Sequence, residues 1–173
     1  MKHSDALTIA ERVRGELAPF CEKIEIAGSV RRCRPEVKDI EIVCVPRSGL
    51  DMFGGAGGRS PLLDYLDLKF IDRHLLVKGK DKYRMYALAD GIKLDLFMVT
   101  PPAQFGLQFV IRTGPADFSH RLVTPRKYGG AAPSNLRFKY GAAWLDGGLI
   151  PMPTEESVFE YFNLPFIPPS ERV

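Results

Sequence analysis

Residues 28–45 read GSVRRCRPEVKDIEIVCV, a basic stretch that runs into an alternation of apolar and acidic residues. The preceding residues, 23–27, predict a β-strand that ends at the Gly28-Ser29 pair. After this pair Pro35 prevents a long helix. Branched apolar residues then alternate with acidic ones over residues 39–45, which predicts a second strand. The segment therefore indicates two strands joined by a basic, irregular connection.

Asp39 and Glu41 lie two residues apart in the second predicted strand. Because side chains alternate between the faces of a strand, the two carboxylates share one face, about 7 Å apart along the backbone. Two carboxylates on one face repel each other unless a cation lies between them. Asp95, in the alternating residues 93–99, would join them if its strand lay beside theirs. Three carboxylates of this kind can hold two Mg²⁺ ions about 4 Å apart, as phosphoryl-transfer enzymes require.

The Gly28-Ser29 pair is suited to phosphate. Glycine lets a phosphate approach the backbone, and serine offers a hydroxyl and an amide donor. Three arginines follow at positions 31, 32 and 34, and their planar guanidinium groups match phosphate oxygens. Each feature alone is common in structural turns or exposed strand positions. Their combination in this order indicates a catalytic site instead.

The rest of the chain predicts interspersed helices and strands. Helices are predicted over residues 4–20, 60–70, 104–112, 117–126 and 154–162, and strands over residues 82–89, 92–99, 136–140 and 142–145. Asp90-Gly91 is a two-residue hairpin signal, and the glycine-rich residues 50–60 predict a mobile surface loop. The pattern predicts an α+β fold with a mixed β-sheet and flanking helices. Thr100-Pro101-Pro102 marks a boundary between residues 1–101 and a small α+β subdomain over residues 102–173.

Composition excludes several classes of protein. Hydrophobic residues make up 45% of the 173 residues, which is typical of a folded chain rather than a disordered one. No apolar stretch has the length of a membrane span, and the N-terminus lacks the apolar core of a signal peptide. The three cysteines form no CxxC pair and indicate no zinc site. We therefore expect a reduced, cytoplasmic protein without a membrane association.

Basic residues are concentrated in one part of the sequence. Residues 118–145 contain no acidic residue, although the net charge of the whole chain is only +3. Five cations lie there: Arg121, Arg126, Lys127, Arg137 and Lys139. The segment fits either a nucleic-acid backbone or a solvated basic face, and charge alone does not distinguish the two. The same two interpretations apply to an alternating basic run, Lys78, Lys80, Lys82 and Arg84.

These motifs resemble a known family. Gly28-Ser29, nine residues and then Asp39-Ile40-Glu41-Ile42 resemble the signature of the polymerase beta nucleotidyltransferase superfamily, and Gly28-Ser29-Val30-Arg31-Arg32 resembles its family X DNA polymerases. Leu94-Asp95-Leu96-Phe97 is similar to their third catalytic strand. The C-terminal subdomain of the family is matched by several segments: Arg112-Thr113-Gly114-Pro115 with Phe118, Thr154-Glu155-Glu156-Ser157-Val158-Phe159, Leu164-Pro165-Phe166-Ile167-Pro168-Pro169 and Glu171-Arg172. The resemblance runs from about Gly28 to the end.

The resemblance implies a nucleotidyltransferase palm over residues 1–101 and a thumb subdomain that binds nucleotide and primer over residues 102–173. No segment resembles the family's lyase domain or helix-hairpin-helix motifs, so a reduced form is expected. Asp39 and Glu41 would hold two Mg²⁺ ions, which Mn²⁺ could replace. Asp95 would bind the catalytic metal and act as, or assist, the base. Residues expected to bind the nucleotide are Gly28, Ser29, Arg32, Lys38, Thr113 and Gly114.

The implied reaction is DNA polymerisation. A deoxynucleotide would be added from its triphosphate to a DNA 3′-hydroxyl with release of pyrophosphate, in gap filling or repair. The partners would be dNTP and primed or gapped DNA, bound through the basic segment, and no protein partner is predicted. Two alternatives remain open: a nucleotidyltransferase with another acceptor, and a nucleic-acid-binding module with weakened catalysis.

Some residues depart from the family pattern. Glu41 replaces an aspartate, and Ile111-Arg112 replaces an aromatic pair that shapes the sugar pocket. Ser119 replaces an asparagine that contacts the incoming base in vertebrate members, and Val37-Lys38 replaces small residues. The family often has a cis peptide after the glycine of its Thr-Gly pair, and proline makes that isomer less costly. A cis bond is therefore predicted between Gly114 and Pro115.

Overall fold

Our structure of the protein, a computed structural model, describes residues 1–50, 55–68, 74–79 and 82–173. Helices and strands alternate along these residues, which confirms the predicted α+β class. The helices are α1 (His3–Leu17), α2 (Gly28–Arg31), α3 (Pro61–Leu68), α4 (Phe105–Thr113), α5 (Ala116–Val123) and α6 (Glu155–Tyr161). The strands are β1 (Cys21–Ile26), β2 (Asp39–Pro46), β3 (Gly49–Leu50), β4 (Ala56–Gly58), β5 (His74–Gly79), β6 (Tyr83–Ala87), β7 (Lys93–Met98), β8 (Arg137–Lys139), β9 (Ala142–Leu145) and β10 (Gly148–Ile150).

A five-stranded sheet in the order β1-β2-β7-β6-β5 forms the centre of the first half. Strands β2 and β7 are parallel, and their neighbours pair with them antiparallel. The sheet is therefore mixed, as the sequence predicts. The predicted hairpin is also present, because β6 and β7 pair antiparallel across Asp90-Gly91, where Gly91 has φ 78°.

One face of this sheet packs against helices α1 and α3. Helix α1 buries a stripe at helical spacing, which explains why this segment folds as an amphipathic helix. The stripe consists of Ala6, Ile9, Ala10, Val13 and Leu17. It contacts Ile40 and Ile42 of β2 in one apolar cluster. The predicted helix over residues 4–20 ends earlier, at Leu17, because a 3₁₀ turn containing Pro19 follows.

The opposite face of the sheet changes character along β2. The first two residues of β2 on that face, Asp39 and Glu41, are partly exposed, whereas Val43 farther along the strand is fully buried. Val43 packs with Phe105 and Phe109 of α4 in a second apolar cluster. Helix α4 therefore covers the apolar end of this face and leaves the carboxylate end open to a ligand.

The second half contains helices α4 to α6 and a three-stranded antiparallel sheet in the order β10-β9-β8. They surround a separate apolar cluster that includes Leu107, Val110 and Phe159. Helix α6 begins at a capping box, in which Thr154 and Ser157 exchange hydrogen bonds between side chain and backbone. The predicted strands over residues 136–140 and 142–145 correspond to β8 and β9.

Several sequence predictions need correction. Strands β5 and β10 were not expected, and β10 has only three residues, too few to establish an alternation. The predicted surface loop over residues 50–60 contains the pair β3–β4. Its residues 51–54, the end of the helix predicted to residue 70, and Lys80 lie outside the described residues.

Two individual predictions are also wrong. Arg84 does not face solvent or nucleic acid; it is 1% exposed and pairs with Asp67 at 2.8 Å. The Gly114–Pro115 bond is trans, and the cis bond of the described residues precedes Pro102. Gly114 is extended, with φ −69° and ψ 153°, and Pro115 caps the start of α5 with φ −65°. A trans bond meets this geometry, so the more costly isomer is not needed.

Within the described residues, none of the helices combines the length and the apolar character of a membrane span.

Candidate active site at the carboxylate end of the sheet

The three predicted carboxylates lie on one face of two adjacent strands. Asp39 and Glu41 occupy alternate positions of β2. Glu41 pairs in register with Asp95 of the parallel strand β7. Residues opposite each other in register project to the same side of a sheet, so Asp95 joins the other two. This arrangement results from burial of the intervening residues, because Ile40 and Leu94 are fully buried on the other face.

Burial and like charge act together on this face. The pKa of Glu41 is raised to about 7, mainly by burial and then by the neighbouring charges of Asp39 and Asp95. The positive charges of Arg32 and Arg112 act against this rise. Burial also raises the pKa of Asp95, although a hydrogen bond from Tyr83 acts against this effect. A positive ion would relieve both effects, because it favours the ionised form of each carboxyl group.

The Gly28-Ser29 turn lies directly against Glu41. A Cβ atom at position 28 would fall 1.9 Å from Oε2 of Glu41, and Gly28 has φ 62°. Only glycine meets both conditions without strain. The hydroxyl oxygen of Ser29 is buried and has no hydrogen-bond partner among the described residues. A buried hydroxyl without a partner is costly, so this oxygen is a candidate ligand contact.

The three arginines after this turn have different partners. Arg32 donates a hydrogen bond to the carbonyl oxygen of Thr113 and lies in the field of Glu41 and Asp39. Burial lowers the pKa of its guanidinium group, and the two carboxylates act against this effect. Of the three arginines after the turn, Arg32 is therefore the one whose charge acts on the carboxylates Asp39 and Glu41.

Arg31 and Arg34 instead bind the C-terminal part of the chain. Arg31 donates to Oε2 of Glu155 at 2.6 Å, and Arg172 donates to Oε1 of the same carboxylate at 2.7 Å. Arg34 donates to the carbonyl oxygen of Arg172 at 3.3 Å. Glu155 and Arg172 are 4% and 0% exposed. The sequence pattern attributed all three arginines to phosphate, but two of them connect the Gly28-Ser29 turn to α6 and the C-terminal segment.

A cavity of about 560 Å³ opens beside Asp95. Tyr83 donates a hydrogen bond to Oδ1 of Asp95, and its ring stacks on Phe97 with 5.1 Å between centroids. The guanidinium carbon of Arg112 lies 4.0 Å from the centroid of the Phe97 ring. Tyr83 and Phe97 were not predicted as site residues. Their one available signal was period-2 alternation, which placed Phe97 on the face of Asp95.

Of the remaining residues predicted to bind the nucleotide, one is exposed and two are packed inside the fold. Lys38 is exposed and lies next to Asp39 in the chain. Thr113 is fully buried, and its hydroxyl oxygen accepts a hydrogen bond from Arg31 at 3.0 Å. A Cβ atom on Gly114 would fall 2.3 Å from the ring of Phe118. Thr113 and Gly114 therefore hold the start of the second half against the turn, whereas Lys38 is available to a ligand.

The predicted nucleic-acid contacts are all exposed in the second half: Arg121, Arg126, Lys127, Arg137 and Lys139. Arg137 and Lys139 occupy alternate positions of β8 and so share a face. Arg126 is partly used within the fold, because it donates a hydrogen bond to the carbonyl oxygen of Phe162 at the end of α6. Both predicted interpretations of this segment, a nucleic-acid contact and a solvated face, require the exposure that is observed.

The ligand atoms of the acidic face suit a hard cation, but its side chains are not positioned to bind one together. Three carboxylates on one face provide the oxygen ligands that Mg²⁺ prefers. Among the described residues, however, no three His, Cys, Asp or Glu side chains form a ready metal-binding group. Glu41 lies against Gly28 and Asp95 is bonded to Tyr83. Metal binding would therefore require these two carboxylates to reorient.

Comparison of the chain with models of known protein families and with curated proteins gives no match, so the functional conclusion depends on the residues of this chain.

Proposed function

We propose that the protein is a metal-dependent nucleotidyltransferase of the polymerase beta type, which adds deoxynucleotides to a DNA 3′-hydroxyl with release of pyrophosphate. The observation that carries this proposal is the position of Asp39, Glu41 and Asp95 on one face of two paired strands. The Gly28-Ser29 turn lies directly against that face. The motifs that resemble family X polymerases supply the type of reaction.

The phosphate-binding part of the proposed site consists of Ser29 and Arg32. The unpartnered hydroxyl of Ser29 donates to a phosphate oxygen, and Arg32 supplies a positive charge next to it. Lys38 adds a second charge from the exposed side. In the proposed reaction these groups hold the β- and γ-phosphates and stabilise the charge of the departing pyrophosphate.

The proton-transfer part of the proposed site is Asp95. Its raised pKa brings the carboxylate closer to the pH of the reaction, which favours acceptance of a proton from the 3′-hydroxyl. Tyr83 holds one oxygen of this carboxylate. Asp39, Glu41 and Asp95 would hold two Mg²⁺ ions, which when bound neutralise charge on the phosphates and lower the pKa of the attacking hydroxyl.

Primer extension tests this proposal. The protein is given all four deoxynucleotides with Mg²⁺ or Mn²⁺ on gapped duplex, primed template and single-stranded DNA. Asp95→Ala is the test variant, and Asp5→Ala on the surface of α1 is its matched control. We expect templated addition that falls by at least about a thousandfold in Asp95→Ala and is unchanged in Asp5→Ala.

The other outcomes decide against polymerase activity. Addition to no nucleic acid, while the triphosphate still binds and DNA does not, would contradict the proposal and favour a nucleotidyltransferase with another acceptor. Equal activity of Asp95→Ala and the wild type would show that the face formed by Asp39, Glu41 and Asp95 is not the catalytic site.

A nucleic-acid-binding module with weakened catalysis is a second candidate. Two observations favour it: Tyr83 already donates a hydrogen bond to an oxygen of Asp95, and Oε2 of Glu41 lies against Gly28. Such a module would bind DNA through the basic segment of residues 118–145 without extending it. Retained DNA binding, with no extension in either metal, would favour this candidate.

A further inference from the structure

Arg112 is a cation that has no polar partner in the described part of the chain. It lies in the last turn of α4, and it makes no hydrogen bond or ion pair with any residue that the structure describes. Its Nε atom is buried and unpartnered. A guanidinium group has five N–H donors and normally satisfies them when it is partly withdrawn from water. Arg112 therefore has unused capacity for an acceptor that the chain itself does not supply.

The position of this guanidinium group is nevertheless fixed. It stacks over Phe97 at 4.0 Å, and Phe97 is itself stacked against Tyr83. Stacking on an aromatic ring orients the planar group and reduces the entropy lost when it binds a ligand. Arg112 is thus held in place by apolar contacts, and its hydrogen-bonding edge remains available.

The nearby carboxylates do not account for this arginine. Glu41 and Asp95 lie close enough for their charges to act on Arg112, yet neither forms an ion pair with it. The arginines that serve a structural role in this protein, Arg31 and Arg172, contact a carboxylate oxygen directly, at 2.6 and 2.7 Å. Arg112 differs from them in having no such contact.

The cavity in front of Arg112 has the chemistry of a nucleotide site. Its volume is about 560 Å³, and its lining includes a second cation, Lys82, and an amide, Gln108. Tyr83, Phe97 and Tyr140 add aromatic surface. Cations recognise phosphate, and aromatic rings and amides recognise a base. Asp95 lines the same cavity, so a ligand bound there would reach the proposed reacting group.

We propose that Arg112 is a substrate-binding and specificity-determining residue that holds a phosphate oxygen of a nucleotide in this cavity. The proposal rests on the proposed nucleotidyltransferase function and adds a contact that the phosphate-binding turn does not provide. The phosphate belongs either to the terminal nucleotide of the acceptor or to the incoming triphosphate. Arg112 hydrogen-bonds it through its planar fork, for which lysine is a poor substitute.

Binding without turnover tests this assignment. Binding is measured by calorimetric titration in the absence of divalent metal. The ligands are deoxyadenosine monophosphate, deoxyadenosine, dATP and a short single-stranded oligonucleotide. The variants are Arg112→Gln, Arg112→Lys and the control Arg14→Gln on the surface of α1. We expect Arg112→Gln to weaken binding of a phosphate-bearing ligand about tenfold or more and to leave deoxyadenosine unaffected. Arg112→Lys should lose part of the affinity, and Arg14→Gln none.

The ligands distinguish the two sources of phosphate. A loss confined to the oligonucleotide and the monophosphate assigns Arg112 to the acceptor, and a loss confined to dATP assigns it to the incoming nucleotide. Equal affinities of Arg112→Gln and the wild type for every ligand, or no binding of any phosphate by the wild type, would overturn the proposal. Far-ultraviolet circular dichroism and thermal melting establish that each variant is folded.

This result is separable from the proposed function, because the titrations contain no metal and require no chemistry. Primer extension by the wild type together with unchanged binding in Arg112→Gln would refute the role of Arg112 alone. A phosphate-binding defect in Arg112→Gln without extension by the wild type would support Arg112 and refute the polymerase activity.

Discussion

Two groups of partly or fully buried charges lie on either side of the Gly28-Ser29 turn, and they have opposite composition. The acidic face contains Asp39, Glu41 and Asp95, where burial and then the like charges of the other two carboxylates raise the pKa of Glu41. The ion-pair network contains Arg31, Glu155 and Arg172. There burial raises the pKa of Glu155, but hydrogen bonds from the two arginines outweigh it and leave the pKa below its ordinary value.

The difference separates a binding site from a structural contact. In the ion-pair network each carboxylate oxygen of Glu155 has an arginine partner within the chain. On the acidic face the charges are unbalanced, so their electrostatic energy is relieved only by an added cation or by protonation. Buried carboxylates that lack a cationic partner within the chain therefore indicate where this protein binds something. A carboxylate whose two oxygens both have arginine partners indicates where its two halves are joined.

The largest effect on stability is expected from breaking the ion-pair network. Glu155→Ala leaves the fully buried Arg172 without a counter-charge, which should lower the free energy of unfolding by about 3–5 kcal/mol. The control is Glu156→Ala, because Glu156 is the next residue of the same helix and is exposed. Urea unfolding monitored by circular dichroism measures both.

The affinity of the same two variants for a nucleoside triphosphate is a second test of the ion-pair network. Arg31 and Arg34 connect the turn to the C-terminal segment, so Glu155→Ala should also weaken triphosphate binding, whereas Glu156→Ala should not. Equal stability of the two variants would mean that the network does not join the halves and would remove the contrast with the acidic face.

A smaller effect, of opposite sign, is expected on the acidic face. The pKa of Glu41 is raised from 4.5 to about 7, so the folded protein holds a proton over a pH range in which the unfolded chain has released it. Stability contributed by this group is therefore lost as the pH rises from about 4.5 to about 7. Glu41→Gln removes that loss and should raise the free energy of unfolding at pH 8 by about 3 kcal/mol, with a much smaller change at pH 5.

Urea unfolding at the two pH values measures this difference, and Glu22→Gln, an exposed position of β1, is the control. A Glu41→Gln variant that follows the wild type at both pH values would show that the acidic face carries no unbalanced charge. Glu41→Gln should also lose primer extension, so that the same substitution stabilises the fold and removes the activity.

The smallest effect is expected from Tyr83→Phe. The hydrogen bond from Tyr83 lowers the pKa of Asp95, which burial raises, so its removal should raise that pKa further. The acid limb of the pH–rate profile should then move to higher pH, while the rate near pH 8 changes less than about threefold. Primer extension across pH 6–9 measures the shift, with Tyr161→Phe on α6 as the control. An unmoved acid limb would mean that Asp95 is not the titrating base.

Alternation and helical spacing in the sequence predicted most of the elements that position the site. Both faces of β2 followed from period 2, because Ile40 and Ile42 had to be buried and therefore placed Asp39 and Glu41 together. The two-residue turn signal Asp90-Gly91 predicted the β6–β7 hairpin. These features are local, since they depend on which side of one strand an apolar residue occupies.

The sequence did not predict which charged or polar side chains contact each other across the fold. The alternating run that ends at Arg84 looked exposed, but Asp67 on α3 supplies a buried counter-charge. Arg31 resembled a phosphate ligand, but its carboxylate partner lies 124 residues away. Tyr83 carried no functional motif, and only its place beside β7 brings it to Asp95.

For this protein, the order of amino acids alone specified the α+β class and the shared face of Asp39 and Glu41. The fold decided that Glu41 is in register with Asp95 and that Arg31 binds Glu155. It also left Arg112 without a hydrogen-bond or ion-pair partner among the residues that the structure describes. The physical reason is the distance along the chain over which each effect acts. Side-chain periodicity acts over a few residues of one element, whereas the energy of a charge depends on which groups the folded chain brings within a few ångströms of it.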